Sequence, residues 1–185
     1  MLRGELIGLR AQQDSDIEVF ETELLTDVET WMRADNRPWR PVAPGSADSP
    51  YRAAGAGGHG EDVKFSVVEL ATGGLAGEAL LWAIDLHNRS AHIGLSLLPA
   101  CRGKHLGTDV VRVLCYYGFA VRGLHRLQIE TLADNHAMIG AAARAGFVAE
   151  GTLRGTSWVD GSFLDEVILG QLATEWRPAA PSPGR

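Results

Sequence analysis

Residues 91–147 form one unbroken series, and it constrains the fold more than anything else in the chain. An apolar strand-like segment ends at Pro99, followed by the turn Arg102-Gly103-Lys104-His105-Leu106-Gly107-Thr108. A helical stretch over 107–121 then carries apolar residues at Val110, Val111, Leu114, Tyr117 and Val121. A second strand spans 126–132, and a helix over 135–145 is stopped by Gly146. Glycines let backbone amides come close to a ligand. The start of a helix adds unpaired N–H groups and the positive end of its dipole. Such a turn suits an anion, best a phosphate or pyrophosphate. The turn itself matches neither G-x-x-x-x-G-K-[ST] nor G-x-G-x-x-G, so it is neither a Walker loop nor a dinucleotide fingerprint.

The flanking segments supply the rest of a sheet. A short strand is expected over 6–10, a helix over 14–26 capped by Asp14 or Ser15, and a second short helix over 28–32. Residues 36–62 are rich in proline and glycine, and with Trp39, Arg40, Tyr51 and Arg52 they read as a lid-like loop. Strands follow over 63–70, 75–85 and 91–98, and a hairpin over 147–158 and 163–172 turns at Asp160-Gly161. Residues 1–176 therefore read as a single domain, with 177–185 as a frayed tail. The fold class is α+β, with a mixed, mainly antiparallel sheet flanked by helices.

With 185 residues, 45% hydrophobic and 22% charged, the chain can bury a core without disulfides or metals. Its two cysteines, Cys101 and Cys115, cannot build a disulfide framework, and its six histidines show no metal-ligand spacing. No metal is expected. The net charge of −6, with lysine only at positions 64 and 104, argues against nucleic acid as a partner. No apolar run is long enough to span a membrane and no signal peptide is visible, so a cytoplasmic protein is the expectation.

The order strand, R-G-K-H-L-G-T, helix, strand, Asn135, helix, Gly146-Phe147 resembles the GNAT (GCN5-related N-acetyltransferase) superfamily, and most of all its branch of ribosomal-protein N-terminal acetyltransferases. The likeness covers residues 91–147 well and the hairpin over 150–172 more loosely. It implies a GNAT fold with a splayed central strand pair and acetyl-CoA as cosubstrate. The family loop Q/R-x-x-G-x-G/A falls on Arg102, Gly103, Lys104, His105, Leu106 and Gly107, with His105 replacing the middle glycine. The resemblance implies that amides from His105 to Thr108 hold the pyrophosphate, that Leu97 and Leu98 pair through their backbones with pantetheine, and that Asn135 binds the cofactor arm. Relatives often form homodimers, and a dimer is carried over as an expectation.

Acyl transfer to an amine needs a base, because only the free amine attacks a thioester. Relatives that keep this base on the strand before the loop use Glu in an A-E-I pattern. Here the pattern is Ala91-His92-Ile93, so His92 is the leading candidate, with Glu78 and Glu130 ranked below it. The positions that in many relatives carry a Tyr or Ser to protonate the thiolate are Ala142 and Met138, leaving water, Ser96 or His136. The expected activity is direct acetyl transfer to a primary amine of a small molecule or protein N-terminus. The alternatives are succinyl or another acyl group as donor, or a CoA-binding module without catalysis. Trp158 is either a sheet aromatic or part of a substrate groove.

Overall fold

The computed structural model describes residues 1–52 and 62–177. Residues 53–61 of the expected loop and 178–185 of the expected tail lie outside the described residues. Eight strands form one sheet: β1 (Leu2–Arg3), β2 (Ile7–Arg10), β3 (Val63–Glu69), β4 (Leu75–Asp85), β5 (Ser90–Leu97), β6 (Arg126–Leu132), β7 (Val148–Val159) and β8 (Ser162–Leu172). Among the described residues four α-helices accompany them: α1 (Asp14–Glu23), α2 (Val28–Ala34), α3 (Leu106–Cys115) and α4 (His136–Ala145). The sheet order is β1-β2-β3-β4-β5-β6-β8-β7, and only β5 and β6 run parallel. The α+β class and the mainly antiparallel sheet stand as read from the sequence.

Three details differ from the sequence reading. A two-residue β1 precedes the expected first strand, pairing Leu2 with Leu9. The helix expected over 107–121 is α-helical only to Cys115. It continues over Tyr116–Val121 as a wider coil, with the Arg122 N–H donating five residues back to Tyr117 O. The first helix ends at Glu23, three residues short of the expected end.

α3 supplies the centre of the core. Val110, Val111 and Leu114 are fully buried and meet Ile7, Leu9, Leu81, Ala91 and Leu127 from one sheet face. The buried Asp109 carboxylate accepts from the Leu6 and Ile7 N–H groups at 2.7 and 3.0 Å, clamping β2 to the first turn of α3. Gly4 is needed there, because a Cβ would lie 2.3 Å from Asp109 Oδ2. On α1, Asp16 is buried and receives Arg10, Ser66 and the Gln13 N–H. Glu21 is buried and receives Arg52 and the Gly45 N–H, which ties residues 45–52 to α1.

Candidate active site

The site begins where β5 and β6 part. Their parallel pairing covers Ser90 with Arg126, Ala91 with Leu127 and His92 with Gln128, and then stops. β5 nevertheless stays paired to β4 as far as Leu97 opposite Gly77. Beyond the parting, backbone groups on the β6 side of β5 have no strand partner. Alternation along the strand aims those of Leu95 and Leu97 into the gap. The Leu97 carbonyl accepts from Arg102 Nε at 3.0 Å, which leaves its N–H and both groups of Leu95 for a guest. The Leu98 N–H faces the other way and donates to Ala76 O at 2.9 Å. Of the expected pair, Leu97 faces the gap and the Leu98 N–H is already bonded within the sheet. Strand parity puts Leu95 on the same edge as Leu97. That parity was available in the sequence.

At the open end of this gap, Pro99–Cys101 make a tight turn and α3 begins. His105 caps α3 in the left-handed region (φ 62°, ψ 9°), and no side chain bonds to the first amides of the helix. Those amides have no partner within the helix. Gly103, also left-handed at φ 73°, and Gly107 have open space where a Cβ would stand. Lys104 and His105 are exposed at the rim. Two side chains of this turn are already engaged. Arg102 reaches Asp27 Oδ2 (3.0 Å) and Thr30 Oγ1 (3.2 Å) on α2, and Thr108 Oγ1 accepts from Arg144 Nε at 3.2 Å. Sequence reading missed Arg144, which brings a guanidinium from the end of α4 to the first turn of α3. Asn135 caps α4, accepting from the Met138 N–H at 3.2 Å and donating to Thr131 Oγ1 at 2.9 Å.

The candidate bases lie on one face of the sheet. Glu78 stands opposite Ser96, and His92 opposite Trp82 with ring centroids 4.5 Å apart. A bulge in β4 places Glu78. Its register to β3 shifts at Val67 and Val68, and Gly77 lies so close to β5 that a Cβ would fall 2.2 Å from Ser96 O. Burial raises the Glu78 carboxyl from 4.5 to about 7. Lys64 pulls it down, Asp35 pushes it up, and Arg37 lowers it. The Gln12 Nε2 beside it is buried without a hydrogen-bond partner. Tyr51, whose hydroxyl burial and the nearby Glu78 charge push upward, packs against Phe20 and Trp31.

His92 sits at the apex of the parting. Burial lowers its imidazole, Glu130 raises it and Arg126 lowers it further, so the neutral ring is favoured. Its buried Nδ1 lies 3.6 Å from Glu130 Oε1 and has no hydrogen-bond partner. Glu130 itself is exposed and accepts from Gln128 Nε2 at 2.7 Å. Ala142 is fully buried and Met138 packs on the core, so neither supplies a proton. Trp158 is 62% exposed and stacks edge-on with Phe163 at the hairpin tip. Among the described residues, no group of three or more His, Cys, Asp or Glu side chains could hold a metal ion, and no helix is long and apolar enough to cross a membrane.

Known proteins are similar to this chain in sequence and in fold. The chain is 33% identical over 104 residues to the "Putative ribosomal N-acetyltransferase YdaF" of Bacillus subtilis (strain 168), a match spanning 56% of this chain and 57% of that protein. It is 25% identical over 127 residues to the spermidine N(1)-acetyltransferase of Escherichia coli (strain K12), covering 69% and 68% of the two chains. The solved structure of spermidine N-acetyltransferase from Vibrio cholerae, in complex with CoA and spermine, superposes with a TM-score of 0.79 at 20% identity over 92% of this chain and 97% of that one. The acetyltransferase (GNAT) domain family matches residues 7–148, which contain the parted strands, the glycine turn and α3. By that match, and by a fold that opens its sheet where an extended cofactor would lie, the chain belongs to the GNAT acetyltransferases.

Proposed function

We propose that this protein transfers the acetyl group of acetyl-CoA directly to a cationic primary amine, with Glu78 as the base. The parted sheet beside an open helix start carries the cofactor half of this reading. The residues fit the group: Leu95 and Leu97 offer unpaired amides to a pantetheine arm, and the amides of residues 105–108 face a pyrophosphate. Lys104 and Arg144 add positive charge at the same end. Bound acetyl-CoA supplies an activated thioester, and the chain supplies position and proton transfer.

Glu78 suits the base because burial holds its carboxyl near neutrality, where it is both ionised enough to act and basic enough to take an ammonium proton. Asp35 nearby and the net charge of −6 favour a cationic acceptor. His92 is the second candidate, favoured by its orphaned Nδ1 at the apex. The two separate in a pH–rate profile: Glu78→Gln removes the acid limb of kcat/KM and His92→Gln leaves it. The reverse result reassigns the base to His92.

Thermal unfolding with acetyl-CoA, CoA and succinyl-CoA tests the cofactor assignment. Saturation to 100 times the dissociation constant adds about 2.7 kcal/mol. A larger rise with succinyl-CoA reassigns the donor. Met138 and Ala142 favour one rival, a CoA-binding module without catalysis, and steady thiol release with any amine excludes it. We also place the protein in the cytoplasm as a homodimer joined along β7, which exposes Val148, Leu153 and Trp158 beside Phe163. Sedimentation at micromolar concentration checks the dimer, and a monomer there removes it.

A further inference from the structure

α2 touches both arms of the parted sheet. On the β5 side, Arg102 follows the end of the strand and its Nη1 donates to Asp27 Oδ2 at 3.0 Å and to Thr30 Oγ1 at 3.2 Å. The same guanidinium donates through Nε to the Leu97 carbonyl at 3.0 Å, inside the gap. On the β6 side, Arg33 Nη2 donates to Asp134 Oδ1 at 2.6 Å, in the turn between β6 and α4. α2 packs against β7 on that same side. Trp31, between these two fastenings, is buried against Tyr51 and anchors the helix to the domain.

The spacing is informative. Six residues separate Asp27 from Arg33, about 9 Å along a helix. Two strand spacings, the width needed to seat one extended guest between β5 and β6, come to about 9.6 Å. We infer that α2 is a brace that holds the two arms apart at the width of one extended chain, so the pantetheine slot exists before the cofactor arrives. This rests on the reading of that slot as the acetyl-CoA site. It makes Asp27, Arg33 and Asp134 positioning residues, and it gives the Arg102 side chain a structural task next to the phosphate turn. Both ion pairs are partly exposed, with side-chain exposures of 38% and 24% for Arg102 and Asp27, and 36% and 54% for Arg33 and Asp134. Such pairs add little to stability. What these two contribute is the distance between the arms.

Calorimetric titration with CoA tests the brace, using Arg33→Asp, Asp134→Arg and the double swap. Each single reversal breaks a fastening and weakens CoA binding about three- to tenfold, while the melting temperature stays within about 2 °C of wild type. The swap restores both. A simple field effect on the CoA phosphates behaves differently: added negative charge at 33 weakens binding and added positive charge at 134 strengthens it. Opposite changes in the two single variants, or no change in either, overturn the brace. A double swap as weak as the single variants overturns it too. If the wild type itself does not bind CoA, the cofactor reading falls and the brace falls with it; binding by the wild type with unmoved variants removes the brace alone.

Discussion

Replacing Glu78 with glutamine should make the protein more stable and less active at once, and the stability gain should depend on pH. Burial moves the Glu78 carboxyl from 4.5 to about 7 in the folded chain. The folded state then binds this proton more tightly than the unfolded state does. Below pH 4.5 both forms are protonated and the group costs nothing. Between 4.5 and 7 stability falls as pH rises, and above 7 the whole cost of holding a buried charge is present. At about 1.4 kcal/mol per unit this is about 3 kcal/mol, and a half-buried residue keeps enough water to bring the expected value to 2–3 kcal/mol. Glutamine keeps the shape and drops the charge. The melting temperature should rise by about 4–10 °C at pH 8 and hardly at all at pH 4.5. Scanning calorimetry at the two pH values reads this directly. An equal shift at both, or a loss at pH 8, would show that Glu78 is not held against its ionisation and would refute its role as a base tuned by burial.

Other consequences follow from local geometry. His105→Gly relieves a left-handed backbone at a cost in unfolded-chain entropy, so a net gain of about 0.5–1 kcal/mol is expected, read as a rise of 1–4 °C without ligand. Gly77→Ala forces a Cβ to 2.2 Å from Ser96 O, so β4 must shift; a loss of at least about 2 kcal/mol with Glu78 displaced is expected in urea unfolding and turnover. Arg10 holds the Asp16 carboxyl near 2, which contributes about 2 kcal/mol that is present above pH 4 and lost as pH falls toward 2, and Arg52 holds the Glu21 carboxyl down in the same direction. Asp16→Asn should flatten that acid limb in pH-jump unfolding.

Much of this architecture is legible in the sequence because it depends on local chemistry. Gly103 of the turn, Gly146 after α4 and Asp160-Gly161 in the hairpin each mark a left-handed backbone position. The apolar spacing of α3 names the residues that bury. The site was harder to read because its determinants lie between elements. Tyr51, Asp35, Arg37, Lys64 and Gln12 come from four separate segments and meet only around Glu78. Nothing local to any of them signals this. Gly77 did carry a signal, since glycine inside a strand run marks a bulge or a close approach, and here it marks both. The π-type end of α3 left no trace, because Tyr116–Val121 keep an ordinary apolar pattern.

Several departures from good local chemistry lie around the parted strands, beside the positive φ angles that Ala83, Arg89 and Asp160 hold in β4 and in two hairpin turns. The core beneath the sheet is tightly closed, with Ile7, Leu9, Phe20, Leu81, Leu114 and Leu127 essentially without solvent contact. Around the parted strands a histidine holds a glycine's backbone angle, a bulge forces two strands together, a carboxyl is raised to about 7, and Gln12 and His92 each bury an unpartnered nitrogen. Each of these costs stability, and packing alone explains none of them. Guests would repay them differently. An amine hydrogen-bonding to Glu78 favours the ionised carboxylate, a diphosphate at the α3 amides gives the strained turn its partner, and a chain in the gap satisfies Leu95. Ligand binding should therefore stabilise this protein in separable steps. Acetyl-CoA is expected to relieve the turn and the gap, and an amine acceptor to relieve the carboxylate.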